Sequence, residues 1–174
     1  IFAALTRLMP HPPNFTPIIA MGLFGGAYLK DTRWAILLPV VAMLIADFFL
    51  GFHGTMIWVY CSLIIISSMG LLLKNRITLI NGAIATLGGS LLFFLVTNFG
   101  VWASSIFYPK TFIGLISCYT AGLPFFGNTL AGSVFYSSLM FFGYKQIKIS
   151  THISLLTTAE KLQILAQTQR IINC

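Results

Sequence analysis

The stretch that decides the fold is Leu79 to Ala103, LINGAIATLGGSLLFFLVTNFGVWA. It contains no Asp, Glu, Lys, Arg or His. A helix needs about 20 predominantly apolar residues to cross the hydrocarbon core of a bilayer, and this run exceeds that. The rest of the chain agrees. Of 174 residues, 57% are hydrophobic and 7% charged, whereas an ordinary soluble domain carries about 25% charged residues. Mean hydropathy is +0.92. So few charges cannot keep a globule of this size dispersed in water, which excludes a soluble enzyme, a disordered tail and a DNA-binding domain. The expectation is an all-α integral membrane protein.

Working outward, further apolar runs lie at 1–9, 17–29, 34–50, 56–73 and 127–144, with a weaker one at 111–126 broken by Gly114, Gly122 and Pro124. The chain opens on Ile1 rather than Met, so the first run is expected to be the end of a helix that starts upstream. Arg7 interrupts it too early for a cleavable signal peptide. Pro17 suits a first helical turn, and Pro39 is expected to kink the run that contains it. A barrel would need alternating strands of about ten residues, and none is visible.

Charge sets the orientation. The chain carries 10 Lys+Arg against 3 Asp+Glu. Lys30 with Arg33, Lys74 with Arg76, and Lys145 with Lys148 fall between or after apolar runs and are expected to share the cytoplasmic side. Segments 10–16, 51–55 and 104–126 then lie outside, with Lys110 their one basic residue. A crossing by 111–126 would carry Lys145 and Lys148 outside. The preferred reading is therefore a six-transmembrane-helix bundle. Both termini are cytoplasmic, and a long outer connection holds a short or re-entrant helix. Residues 1–148 form the membrane domain and 149–174 a cytoplasmic tail. In that tail Thr157 and Glu160 fit a capping box, followed by Leu162, Leu165 and Ile172 at helical spacing. An amphipathic helix and a frayed tail both fit.

Candidate functional residues gather at the outer end. Asp47 is the one acid in an apolar run; it is either a helix-end cap or a hydrogen-bond acceptor facing a cavity. Cys61 lies about five residues into its helix, roughly 7–8 Å deep at 1.5 Å per residue, near His53, Trp58 and Tyr60. His11 and Asn14 occupy the stiff loop HPPNFTP, Asn98 lies near Phe99 and Trp102, and Asn128 follows Phe125 and Phe126. Each polar residue alone fits interfacial capping, yet together they outline an outward pocket. Gly22 with Gly26, and Ala85 with Gly89, are small-xxx-small pairs suited to close helix contact or to docking another membrane subunit. Three cysteines without a CxxC argue against a disulfide framework and a DsbB-like oxidoreductase. No Walker A loop, no histidine within a helix interior and no Gly-x-Ser-Gly remove ATP hydrolysis, haem ligation and intramembrane serine proteolysis.

Six segments carry a resemblance: RLMPHPPNFTP (Arg7 to Pro17), AMGLFGGAYL (Ala20 to Leu29), DFFLGFH (Asp47 to His53), TNFGVW (Thr97 to Trp102), YPKT (Tyr108 to Thr111) and CYTAGLPFFGNTLAG (Cys118 to Gly132). Over residues 3–144 the chain resembles a family of small bacterial inner-membrane proteins. Its outline is similar to the substrate-binding S-components of energy-coupling-factor vitamin transporters, and to the solitary cobalamin transporters of BtuM type. The resemblance implies a vitamin held between outer loops, with cobalamin the leading ligand. It also implies a cysteine thiolate as axial ligand to cobalt, a role carried to Cys61, with Asn14, Asn98 and Tyr60 bonding the corrin amides. Decyanation of the vitamin would accompany uptake. The alternatives are an accessory subunit of a larger membrane complex with no ligand of its own, and a carrier of another small metabolite.

Overall fold

The computed structural model describes residues 12–172. Those residues form five helices and no strand: α1 Ile18–Tyr28, α2 Thr32–Leu50, α3 Met56–Leu72, α4 Leu79–Ser104 and α5 Phe112–Ile172. The all-α expectation holds, but six spanning helices are not what the described residues show. α2 and α4 are long and apolar enough to cross a bilayer, while α1 and α3 are apolar but shorter. The first apolar run lies outside the described residues.

The helix ends follow local chemistry. Asp31 caps α2 by accepting from the Arg33 amide at 2.8 Å, and Thr78 caps α4 by accepting from the Asn81 amide at 3.1 Å. Both side chains satisfy amides that the first helical turn leaves orphaned. α2 stops at Gly51, whose φ of 97° is a conformation open chiefly to glycine. Pro39 lies inside α2, which is helical on both sides of it.

α1 is the central helix. Eight of its 11 residues are buried, and it packs most extensively on α3, with further contacts to α2 and α4. Glycine makes that approach possible. A Cβ on Gly26 would stand 2.5 Å from the Ser67 carbonyl oxygen, and one on Gly70 2.5 Å from the Leu23 carbonyl oxygen. Gly22 lies against Ser67 and Gly89 against Ile19 and Ile66. Gly22 and Gly26 are thus buried against α3.

The largest departure from expectation is α5. The segment 111–126 is neither a loop nor a separate re-entrant helix, but the first part of one 61-residue helix that continues through Pro124. The residues read as breakers are contact points. Gly114 lies against the Pro109 carbonyl and Gly122 against the Asn98 side chain, so close that a Cβ at either would collide. The outer connection therefore shrinks to 105–111. Lys110 pins it by donating to the Ser105 carbonyl at 2.8 Å and to the Trp102 carbonyl. The Trp102 indole donates to the Pro109 carbonyl at 3.0 Å.

The helix also runs unbroken through Thr157, so no helix starts there and the capping box has no terminus to serve. By contacts the chain separates between Met140 and Phe141 into two units. The first holds α1 to α4 and α5 as far as Met140. The second is helical to Ile172.

The bundle buries small polar residues beside an apolar core of Ile18, Leu23, Leu63 and Ile66, and turns large apolar side chains outward. Buried positions include Ser62, Ser67, Thr86, Ser90, Thr129 and Ser133, whereas Phe48 and Phe49 are 71% and 66% exposed. Most of the hydroxyls donate back to carbonyls of their own helix, as Ser90 does to Thr86 at 2.8 Å and Ser133 to Thr129 at 2.7 Å. Such bonds satisfy a polar group without water.

Candidate functional site

Each helix of the bundle reaches the same end at one of its termini. The start of α1, the end of α2, the start of α3, the end of α4 and the start of α5 converge there, and between them lies a cavity of about 420 Å³. α1 begins at this end of the bundle. Its first turn, Ile18 and Ile19, lines the cavity, and the loop before it supplies Asn14 and Thr16. Pro17 at the α1 cap position brings no side-chain hydrogen bond. Asn14 adopts a φ of 65°. The Phe15 amide donates to the Pro12 carbonyl at 3.0 Å, folding the loop onto α5, where Phe15 meets Tyr136 with ring centroids 5.6 Å apart.

α4 provides one long wall: Phe93, Phe94, Thr97, Asn98 and Val101. These positions recur at three- and four-residue spacing and so share a face. α5 provides the facing wall with Cys118, Ala121, Gly122, Phe125 and Thr129. The walls are fastened together. The Cys118 thiol donates to the Asn98 carbonyl at 3.4 Å, the Tyr119 hydroxyl donates to the Leu95 carbonyl at 2.8 Å, and Phe94 meets Phe126 at 4.9 Å. The remaining lining comes from Met43, Val59, the loop residues His53 and Thr55, and Tyr108.

The polar groups of the walls are already oriented. Thr97 donates its hydroxyl hydrogen to the Phe93 carbonyl at 2.7 Å, and Thr129 donates to the Phe125 carbonyl at 3.0 Å. With those hydrogens engaged, each oxygen presents lone pairs only. Asn98 gives one amide hydrogen to the Phe94 carbonyl at 2.8 Å. His53 Nδ1 and Thr55 Oγ1 share a hydrogen bond of 2.9 Å. Among the described residues, no Asp, Glu, Lys or Arg lines the cavity, and no group of three or more His, Cys, Asp or Glu side chains is placed to hold a metal ion.

The expected site residues separate into groups. Asn14, His53 and Asn98 come together around the cavity. Asp47 and Tyr60 come together with each other, since the Tyr60 hydroxyl donates to Asp47 Oδ2 at 2.8 Å, but neither lines the cavity. Asp47 is only 1% exposed, so its place is inside the packing of α2 and α3. Asn128 is off the lining, and its neighbour Thr129 is on it. His11 lies outside the described residues. Cys61 is exposed and away from the cavity, while Cys118 is the buried thiol that lines it. Cys118 escapes a reading of 111–126 as a connection, whereas Thr97 and Thr129 lie in apolar runs where a single threonine carries no signal beyond a back-bonded hydroxyl. Read as a helix, CYTAGLPFFGNT places Cys118, Ala121, Gly122, Phe125 and Thr129 on one face.

The chain belongs to DUF6580, a family of unknown function, whose model matches residues 1–156. No curated protein matches it, and no solved structure does.

Proposed function

We propose that this DUF6580 chain is a membrane-embedded solute-binding protein of the S-component kind, which captures a small molecule in the cavity between its helix ends for uptake into the cell. The cavity carries the reading. At about 420 Å³ it falls within the roughly 300–1,000 Å³ of ordinary small-molecule sites, and it mixes aromatic walls with a few fixed polar groups. The exposed apolar faces support a bilayer around it, because side chains such as Phe48 and Phe49 suit lipid and back-bonded hydroxyls suit a water-free interior. The basic residues Lys30, Arg33, Lys74 and Arg76 sit at the opposite helix ends, where the Lys74 ammonium donates to the Lys30 carbonyl at 3.4 Å. The positive-inside rule then opens the cavity away from the cytoplasm, in a multi-pass arrangement.

Cobalamin is a poor fit for this cavity. A corrinoid is far larger than the drug-sized ligands such volumes enclose, and Cys61 stands elsewhere. The reading retained is the carrier of a smaller metabolite. With no ATP-binding loop in the chain, the energy for release comes from a partner or from trapping of the solute inside. The accessory-subunit alternative draws on one observation, the continuation of α5 to Ile172 in a second compact unit.

Native mass spectrometry of the detergent-purified protein tests the proposal, beside a Thr97→Trp variant that fills the cavity. The wild type is expected to carry a small organic molecule that the monodisperse variant lacks. An empty wild type that instead purifies in a stoichiometric protein complex supports the accessory-subunit reading.

A further inference from the structure

We infer that the cavity takes an uncharged aromatic solute bearing hydrogen-bond donors, an inference that rests on the solute-binding reading above. The argument starts from the hydroxyls. Thr97 and Thr129 have spent their hydrogens on Phe93 and Phe125 carbonyls of their own helices, so toward a ligand they can only accept. A solute that brings N–H or O–H groups to them is matched, and one that brings only acceptors leaves buried lone pairs facing each other, which costs affinity. Phe93, Phe94, Phe125 and Tyr108 surround the space. Aromatic rings at offset or edge-to-face geometry favour a flat partner beyond simple area burial.

Charge is the second discriminator. No described Asp, Glu, Lys or Arg lines the cavity. The nearest basic side chain in the outer connection, Lys110, is engaged by the Ser105 and Trp102 carbonyls and stands 5.5 Å from the centre of the Trp102 ring. Among the described residues the lining offers a carboxylate or ammonium no Asp, Glu, Lys or Arg to replace its hydration, and its imidazole, His53, has Nδ1 engaged with Thr55 Oγ1. One feature pulls the other way, the first turn of α1, which lacks a side-chain cap and would favour an anion. It is weighed directly by experiment.

The test uses four probes with one ring system: indole-3-acetamide, its N,N-dimethyl amide, indole-3-acetate and tryptamine. They are neutral with amide donors, neutral with those donors removed, anionic and cationic. Binding is measured by equilibrium dialysis against the full chain in detergent. The acetamide is expected to bind at least about tenfold more tightly than each of the other three. The double variant Thr97→Val, Thr129→Val keeps side-chain shape and is expected to lose about tenfold for the acetamide, with Thr97→Ser, Thr129→Ser restoring it. Tighter binding of indole-3-acetate or tryptamine overturns the inference, as does equal binding of the dimethyl amide, and as does no measurable binding of any probe at about 1 mM. A solute retained in the mass spectrum alongside any of those results overturns the ligand class and leaves the solute-binding reading standing. An empty protein overturns both.

Discussion

At the residue scale, glycine at α1 does what no other side chain can. A methyl at Gly26 would press on the Ser67 carbonyl oxygen at 2.5 Å and on the Gly70 carbonyl carbon at 2.6 Å, both backbone atoms that cannot swing aside. Gly26→Ala is expected to destabilise the protein by about 1–3 kcal/mol, the ordinary cost of overpacking. Gly82 in the first turn of α4 has open space where a Cβ would go. Gly82→Ala is therefore expected to stabilise by about 0.5–1 kcal/mol through the entropy of the unfolded chain. Thermal unfolding in detergent reads both signs, and a neutral Gly26→Ala would contradict the α1–α3 contact. Asp47 gives a second case. Removing the hydroxyl that reaches it at 2.8 Å, in Tyr60→Phe, is expected to cost about 1–2 kcal/mol while leaving probe binding unchanged, because neither residue lines the cavity. A selective loss of binding with unchanged stability would contradict that placement. At this scale the sequence revealed which side chains were polar and at which end they lay. It did not reveal that Asp47 pairs with Tyr60 rather than with a solute, since that depends on how α2 rotates against α3.

At the element scale, four of the five helices were legible from uninterrupted apolar runs bounded by caps and charges. α5 was not. Gly114, Gly122 and Pro124 are the residues that punctuate helices in water, and a single sequence cannot tell a glycine that ends a helix from one that admits a neighbour. Here Gly122 admits the Asn98 side chain and Gly114 the Pro109 carbonyl, and proline is tolerated where surrounding helices take up the freed backbone groups. The cost of this misreading was the whole facing wall of the cavity. Hydrogen exchange separates the two descriptions. Amides of residues 116–123 are expected to exchange as slowly as those of the α4 interior, whereas exchange as fast as that of 105–111 would restore the picture of a loop. Thr157 and Glu160 teach the converse lesson. A capping motif acts only where a helix begins, and inside α5 the amides find their partners one turn back.

At the scale of the whole molecule, composition alone foretold an all-helical chain, with α2 and α4 long and apolar enough to cross a bilayer. The structure gathers Asn14, His53 and Asn98 at the end opposite Lys30 and Lys74, as the loop charges implied. The cavity itself was not legible, because its facing wall exists only when the chain returns into α5 as a helix. The central claim is a bilayer-embedded bundle whose cavity opens away from the cytoplasm. It is tested most directly by sided thiol labelling. In a background of Cys61→Ser, Cys118→Ser and Cys174→Ser, one variant carries Asn14→Cys at the cavity end and another Lys74→Cys at the opposite end. Intact cells are treated with a membrane-impermeant maleimide. The account predicts that Asn14→Cys is labelled in intact cells and Lys74→Cys only after lysis. Labelling of Lys74→Cys in intact cells, or protection of Asn14→Cys until lysis, would contradict it.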